Sequence, residues 1–149
     1  SYVEQLQGDH CLKEFVKRYN ATMEFVKSTN SITTGNKITE DSFDEDETGV
    51  ATLDSSATIS INNPSNKNYR TKITSVKYLL ESMDKDTWFS EICAVLGGMI
   101  PEMSNEEIVK CFDYISKQES VTYAKKYNIT SKISRGKMEI TIQYTGDDV

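Results

Sequence analysis

The chain has little of what most catalytic and metal sites are built from. Its 149 residues include one histidine, His10, three cysteines and two prolines. Imidazole is the usual general base near neutral pH and the commonest metal ligand. A catalytic triad with histidine would therefore need His10, and a zinc site with several histidines is excluded. His10 follows Asp9 where a helix is predicted to begin, and we interpret it as an exposed residue of the first helical turn.

The cysteines are few and widely spaced. Cys11, Cys93 and Cys111 form no Cys-x-x-Cys motif, and an odd number without that spacing disfavours both a disulfide framework and a zinc knuckle. Cys93 and Cys111 fall on the apolar faces of predicted helices, where a reduced cysteine behaves as a small hydrophobic residue. We therefore expect an intracellular protein, cytoplasmic or nuclear, without a metal or another cofactor.

Long apolar runs are also missing. The longest, residues 92–100, has nine residues and includes two glycines, whereas a membrane-spanning helix needs about 20. We expect no membrane association. A chain of 149 residues, 37% of them hydrophobic, suits one globular domain over residues 1–149. Its oligomeric state stays open.

Charge is abundant and unevenly distributed. The chain has 23 acidic and 17 basic residues, a net charge of −6. Residues 81–113 contain eight acids against Lys85 and Lys110, which gives −6, and residues 117–137 contain six bases against Glu119, which gives +5. Such segments can steer different ligands to different faces, although charge runs more commonly solvate a surface.

The first helix is predicted over residues 9–28, with Asp9 as its N-cap. Its apolar residues recur at helical spacing, as in Leu12, Phe15, Val16 and Tyr19. A β-hairpin is predicted over residues 50–62, because residues 58–62 alternate between polar and apolar side chains after a turn at residues 54–56. A second hairpin is predicted near the C-terminus, where residues 138–144 alternate strictly behind a turn at residues 134–137.

Three helices are predicted between the hairpins. The first covers residues 71–83. The second covers residues 87–96, is capped by Asp86 and ends at Gly97 and Gly98. The third opens at the capping box of Ser104 and Glu107.

The elements predict an α+β fold: an N-terminal helix, a β-hairpin, a three-helix segment and a C-terminal β-hairpin, with one antiparallel sheet packed on helices. The helix over residues 87–96 is nearly all apolar, so we expect it at the centre of the core. Its expected buried residues and their contacts are Trp88, Phe89, Ile92 and Leu96 against Leu12, Phe15, Val16 and Ile140.

Residues 29–49 are predicted to form a flexible acidic loop. Six of the eight residues 40–47 are acidic, and like charges at that density repel one another and cannot be buried unpaired. Loops of this length are functional or disordered. The candidate partner-binding residues are these six acids with Phe43 as an apolar anchor: Glu40, Asp41, Phe43, Asp44, Glu45, Asp46 and Glu47.

Three functions remain open. The chain has no HExxH, GxSxG or Walker motif, so the first hypothesis is a non-enzymatic protein-interaction or regulatory domain that binds a protein with a basic surface. The alternative is nucleic-acid binding through a basic, tyrosine-containing C-terminal region. Its residues would be Tyr123, Lys125, Lys126, Tyr127, Lys132, Arg135 and Lys137. A second alternative is an enzyme that uses carboxylates, whose spacing in a sequence is not recognisable.

Overall fold

A computed structural model describes residues 9–43, 49–61, 72–81 and 84–146. Three α-helices and one six-stranded antiparallel sheet in these ranges give the expected α+β fold. The helices are α1 (Leu12–Asn30), α2 (Lys85–Met99) and α3 (Asn105–Ser116). The strands are β1 (Val50–Thr52), β2 (Thr58–Ile61), β3 (Ser75–Leu80), β4 (Val121–Tyr123), β5 (Tyr127–Ser134) and β6 (Lys137–Tyr144). A short 3-10 helix, Glu40–Phe43, precedes the sheet.

The two predicted hairpins form and join one sheet in the order β1-β2-β3-β6-β5-β4. The helix predicted over residues 71–83 is wrong, because residues 75–80 form β3 between β2 and β6. Val76, Tyr78 and Leu80 alternate towards the core, while Lys77 is exposed. Without β3, each hairpin would present an unpaired strand edge, so the pairing of the sheet overrides the helical spacing of the segment.

One face of the sheet packs against the helices. Along β6, Met138, Ile140, Ile142 and Tyr144 are buried. The opposite face is polar and contains an ion pair of 2.7 Å between Lys77 and Glu139 on the neighbouring strands β3 and β6. This division is typical of an antiparallel sheet that is covered on one side.

Helix α2 does not end at its glycine pair but continues through Gly97 and Gly98 to Met99. A Cβ atom on Gly97 would lie 2.0 Å from the hydroxyl oxygen of Thr22, and one on Gly98 would lie 3.0 Å from the ring of Phe15. The glycines therefore allow close contact between α1 and α2. The N-cap of α2 is Asp84 rather than Asp86.

The buried core surrounds α2, as expected. Trp88, Ile92 and Leu96 belong to the same hydrophobic cluster as Leu12 and Ile140. Phe89 differs from the prediction, since it is only half-buried and packs edge-on against Phe112 at a centroid distance of 5.1 Å.

The start of α1 also differs from the prediction. The helix begins at Leu12 after Cys11, so Asp9 is not its cap. His10 precedes the helix and is only 4% exposed, which corrects its interpretation as an exposed residue. Its ring stacks on Tyr144 at 4.1 Å, and its Nε2 lies 2.7 Å from the hydroxyl of Tyr127.

The capping box of α3 is confirmed. The Ser104 hydroxyl accepts a hydrogen bond from the Glu107 amide at 3.1 Å, and the Glu107 carboxylate accepts one from the Ser104 amide at 3.0 Å. In the described ranges, none of the helices combines the length and apolar character required to cross a membrane.

Candidate functional site

The segment that follows α1 packs against the domain, unlike the freely solvated loop expected from residue 29 onwards. Residues 29 and 30 belong to α1. Beyond the helix, Ile32, Ile38 and Phe43 are buried. Phe43 is 0% exposed and meets the ring of Phe15 edge-on at 6.3 Å. Phe43 is therefore an internal anchor of the segment, which corrects its assignment as a contact residue for a partner.

Polar contacts attach the same segment to α1 at one further point and fix its local conformation. The Asn20 side chain donates to the backbone carbonyl of Ile38 at 2.9 Å and accepts from the Ile38 amide at 2.8 Å. The Thr39 amide donates to the Ser42 hydroxyl at 3.1 Å. Because the segment is held in this way, the backbone that carries the exposed side chains of Glu40 and Asp41 is fixed at the surface. The other four acidic candidates, Asp44, Glu45, Asp46 and Glu47, lie outside the described residues.

A polar cavity of about 420 Å³ lies beside this segment. It is enclosed by residues 33–38 and Ser42, by the end of β1 with the β1–β2 turn, and by the start of α2. Most of its lining side chains carry a hydroxyl, an amide or a carboxylate. The polar side chains that line it are Thr33, Thr34, Asn36, Lys37, Ser42, Thr52, Asp54, Ser55, Asp84, Thr87 and Glu91.

Glu91 is the most buried charged group of the cavity, with 2% of its surface exposed. The Tyr78 hydroxyl donates to its Oε1 at 2.6 Å. The Ser55 hydroxyl lies 3.0 Å from Oε1 and 2.8 Å from Oε2. These partners come from β3 and from the β1–β2 turn, so the site exists only when the sheet and α2 are assembled. Glu91 has no cationic partner in the parts of the chain that are described.

Burial raises the pKa of the Glu91 carboxyl above its usual value. The negative charges of Asp84 and Asp54 raise it further, whereas the hydrogen bonds from Tyr78 and Ser55 oppose the shift. The carboxylate is thus stabilised by dipoles but not by an opposite charge. It is therefore prepared to accept either a proton or a bound cation.

The rim of the cavity is also mainly acidic. Asp84 accepts hydrogen bonds from the amides of Thr87 and Asp86 as the N-cap of α2, and these bonds lower the pKa of its carboxyl. Asp54 accepts a hydrogen bond from the side chain of Asn36. Among the described residues that line the cavity, Lys37 is the only lysine. Three carboxylates against one ammonium group give this set of residues a net negative charge.

The tyrosines of the nucleic-acid alternative contact other residues of the protein. Tyr127 is fully buried, and its hydroxyl donates to Glu102 at 2.8 Å. Tyr123 is half-buried, with its hydroxyl 3.0 Å from both the Glu102 carbonyl and the Glu107 carboxylate. The ring of Tyr127 is therefore not available to stack on a base, contrary to the expectation.

The basic residues of that alternative do not form one patch. Lys125 and Lys126 lie in the turn before β5, whereas Arg135 and Lys137 lie after it. A strand of eight residues separates these two groups by about 25 Å. Lys132 lies on the strand and pairs in register with Glu139. The structure therefore distributes these charges along the hairpin.

Glu91 and its cavity are not among the sites predicted from the sequence. A signal was present, because Glu91 is the only charged residue within residues 87–100. An acid in the middle of a buried helix requires hydrogen-bond partners. However, the partners Ser55 and Tyr78 lie in other elements, and Tyr78 falls in the segment that was predicted to be helical.

Comparison with models of known protein families, with curated proteins and with solved structures finds no match. Among the described residues, no three His, Cys, Asp or Glu side chains are grouped so that they could hold a metal ion. The geometry of the segment that follows α1 and of the neighbouring cavity is therefore the basis for a proposed function.

Proposed function

We propose that the protein is a non-enzymatic interaction domain that binds a basic surface of another protein. The binding region is the acidic segment, residues 40–47, together with the neighbouring cavity. The observation that carries the proposal is the exposure of Glu40 and Asp41 on a segment that Asn20 and Phe43 hold against the core. Carboxylates on a fixed backbone lose less freedom on binding than those of a mobile chain.

The charge distribution supports a basic partner. The net charge of the chain is −6, and the cavity beside the acidic segment is negative as well. Opposite charges accelerate the encounter of two proteins, and salt screens that attraction over about 10 Å at 0.1 M. We therefore expect the association rate to fall as the salt concentration rises.

The test begins with affinity purification from the native source and mass spectrometry, with and without nuclease. Binding of a recovered protein is then measured with purified components. In the variant E40Q/D41N we expect the affinity to fall about tenfold, mainly through slower association, together with a weaker dependence on salt. The control E106Q/E119Q makes the same change in net charge at two exposed positions on another part of the surface, and it should bind within about twofold of the parent.

Deletion of residues 31–48 is not a suitable test, because it would remove the buried side chains of Ile32, Ile38 and Phe43 from the core. Two results would contradict the proposal. One is equal binding by E40Q/D41N and the parent protein. The other is loss of all co-purifying material after nuclease treatment, which would favour the nucleic-acid alternative.

A further inference from the structure

The geometry points to a binding site for a primary ammonium group in the cavity at Glu91, with a lysine side chain of the protein partner as its occupant. This inference rests on the proposed function for the source of the lysine. The site itself follows from the carboxylate, its two hydroxyl neighbours and the acidic rim. It assigns to the cavity the binding of one lysine side chain, a role that the acidic segment alone does not have.

The charge of the cavity favours a bound cation. Glu91 is 2% exposed, and a buried carboxylate without a cation is unfavourable even when hydroxyl groups donate to it. The described lining of the cavity adds two more carboxylates, Asp54 and Asp84, and within that lining only Lys37 has the opposite charge. The Lys37 ammonium group lies 3.6 Å from Glu24, which does not line this cavity. A cation that enters would therefore meet an excess of negative charge.

The contacts of Glu91 favour an ammonium over a guanidinium group. Arginine binds a carboxylate best through two parallel hydrogen bonds to both oxygen atoms. At Glu91 the Ser55 hydroxyl already lies within 3.0 Å of both oxygens, where the fork of a guanidinium would need to lie. An ammonium group is a compact charge with three separate donors, so it can use one carboxylate oxygen and neighbouring hydroxyls.

The Glu91 carboxylate also has the capacity for a further hydrogen bond. Oε2 of Glu91 has Ser55 as its only donor within the described residues, and a carboxylate oxygen can accept two hydrogen bonds. The buried Tyr19 hydroxyl has no hydrogen-bond partner in the same set of residues. It lies close enough to Glu91 for that carboxylate's charge to help burial raise the Tyr19 pKa.

The size of the cavity fits the occupant. Its volume of about 420 Å³ lies within the range of small-ligand sites, about 300–1,000 Å³. The apolar stem of a lysine would pass Leu53 and Ile38, which line the cavity among its polar groups. None of the described residues that line it has an aromatic ring, so a quaternary ammonium, which binds best in an aromatic cage, is a poorer fit.

The inference is tested directly with n-butylammonium, which has the charged group and the stem of lysine. In a titration followed by nuclear magnetic resonance, we expect shifts centred on Ser55, Tyr78 and Glu91. The variant E91Q should weaken binding at least about tenfold, whereas the surface control E106Q should leave it unchanged. n-Butylguanidinium should bind more weakly than n-butylammonium. Equal binding by E91Q and the parent, or shifts confined to other regions, would overturn the site.

A second measurement uses the parent protein and therefore does not depend on whether the variant E91Q folds. The Glu91 carboxyl carbon can be titrated with acid in the parent protein, with and without n-butylammonium. A bound cation favours the ionised carboxylate, so the pKa of Glu91 should fall when the probe is present. An unchanged pKa at a saturating probe concentration would contradict the inference.

The source of the ammonium group is tested in the complex. If a partner lysine occupies the cavity, E91Q should weaken the partner complex, and acetylation of the partner's lysines should abolish the difference between E91Q and the parent. If E40Q/D41N weakens the complex but E91Q does not, the proposed function stands and the lysine assignment is wrong. If n-butylammonium binds at Glu91 although E91Q does not weaken the partner complex, the site binds a free amine instead.

Discussion

At the residue scale, Glu91 combines two features that oppose each other. Its carboxylate is buried, which favours the protonated form, and it accepts hydrogen bonds from Tyr78 and Ser55, which favour the ionised form. Burial has the larger effect, so the pKa of Glu91 is raised. The cost of ionising this residue in the folded protein therefore appears as a dependence of stability on pH.

The first prediction is that E91Q alters this pH dependence. In the parent protein, the raised pKa of Glu91 gives stability that is fully present below the unfolded pKa of glutamate and is lost as pH rises through the folded pKa. The neutral amide of E91Q does not titrate. The free energy of unfolding of E91Q minus that of the parent should therefore increase as pH rises from about 4 towards 7, so that E91Q gains stability relative to the parent.

Urea unfolding at a series of pH values measures this difference. The titratable groups that face or surround Glu91 are the same in both proteins: Tyr19, Lys37, Asp54, Tyr78 and Asp84. The control E106Q makes the same change in charge at an exposed carboxylate of α3, and the dependence on pH should be larger for E91Q. A difference for E91Q that stays constant with pH would mean that Glu91 has no raised pKa in the folded protein.

At the scale of elements, the contact between α1 and α2 depends on small residues. Thr22 on α1 lies against Gly97 on α2, where even a Cβ atom would approach the Thr22 hydroxyl oxygen to 2.0 Å. Arg18 adds hydrogen bonds from the same helix to the carbonyl of Gly98, at 2.7 and 3.0 Å. The two helices are therefore fixed both by close packing and by a charged donor.

The second prediction is that Gly97→Ala destabilises the protein, although alanine is the better helix former by about 1 kcal/mol. The added methyl group must displace Thr22 or separate the helices, and overpacking of this kind costs about 1–3 kcal/mol. Thermal or urea unfolding gives the net change. The double variant T22A/G97A should regain part of the loss, and an increase in stability for Gly97→Ala alone would show that the helices are not in close contact.

The third prediction concerns the anchor of the acidic segment. Phe43→Ala should cost about 3–5 kcal/mol, because it removes a fully buried ring from the core. The matched variant Asp41→Ala changes an exposed residue of the same 3-10 helix and should alter stability by no more than about 0.5 kcal/mol. If urea unfolding gave equal shifts for the two variants, the segment would not be anchored through Phe43.

The sequence predicts those elements whose signals are local. The capping box of Ser104 and Glu107 specifies the start of α3, and strict alternation specifies β6. In β3 the signals conflict, because Val76 and Leu80 are four residues apart, as in a helix, and also lie on one face of a strand. Only the strands on either side decide between these readings, and they are distant in the sequence.

At the scale of the whole molecule, the fold brings together residues that the sequence separates. Glu91 on a helix lines the cavity with Ser55 from a turn and accepts a hydrogen bond from Tyr78 on a strand, so no local pattern could predict the site. His10 and Tyr127 are 117 positions apart and in hydrogen-bonding contact. The start of the described chain is thereby attached to the C-terminal hairpin, and the sequence had suggested only that His10 is exposed.

The last prediction uses the three cysteines as reporters of global unfolding. Cys11, Cys93 and Cys111 are free and buried, and Cys93 and Cys111 belong to the hydrophobic core cluster. Burial raises the pKa of the Cys93 thiol, and it raises that of Cys111 to about 11. Because only an accessible thiolate reacts with an alkylating reagent, we expect very slow labelling of all three in the folded protein at about pH 8 and fast labelling in denaturant.

Labelling rates resolved by mass spectrometry decide whether the molecule opens as one unit. If it does, the three rates should rise together with denaturant, along the same curve as the unfolding transition. Cys11 lies before α1, Cys93 in the centre of α2 and Cys111 on α3, so each cysteine reports on a different element. Early labelling of Cys111 alone would show that α3 and its sheet contacts open independently of the α1–α2 core. That result would contradict a single cooperative unit.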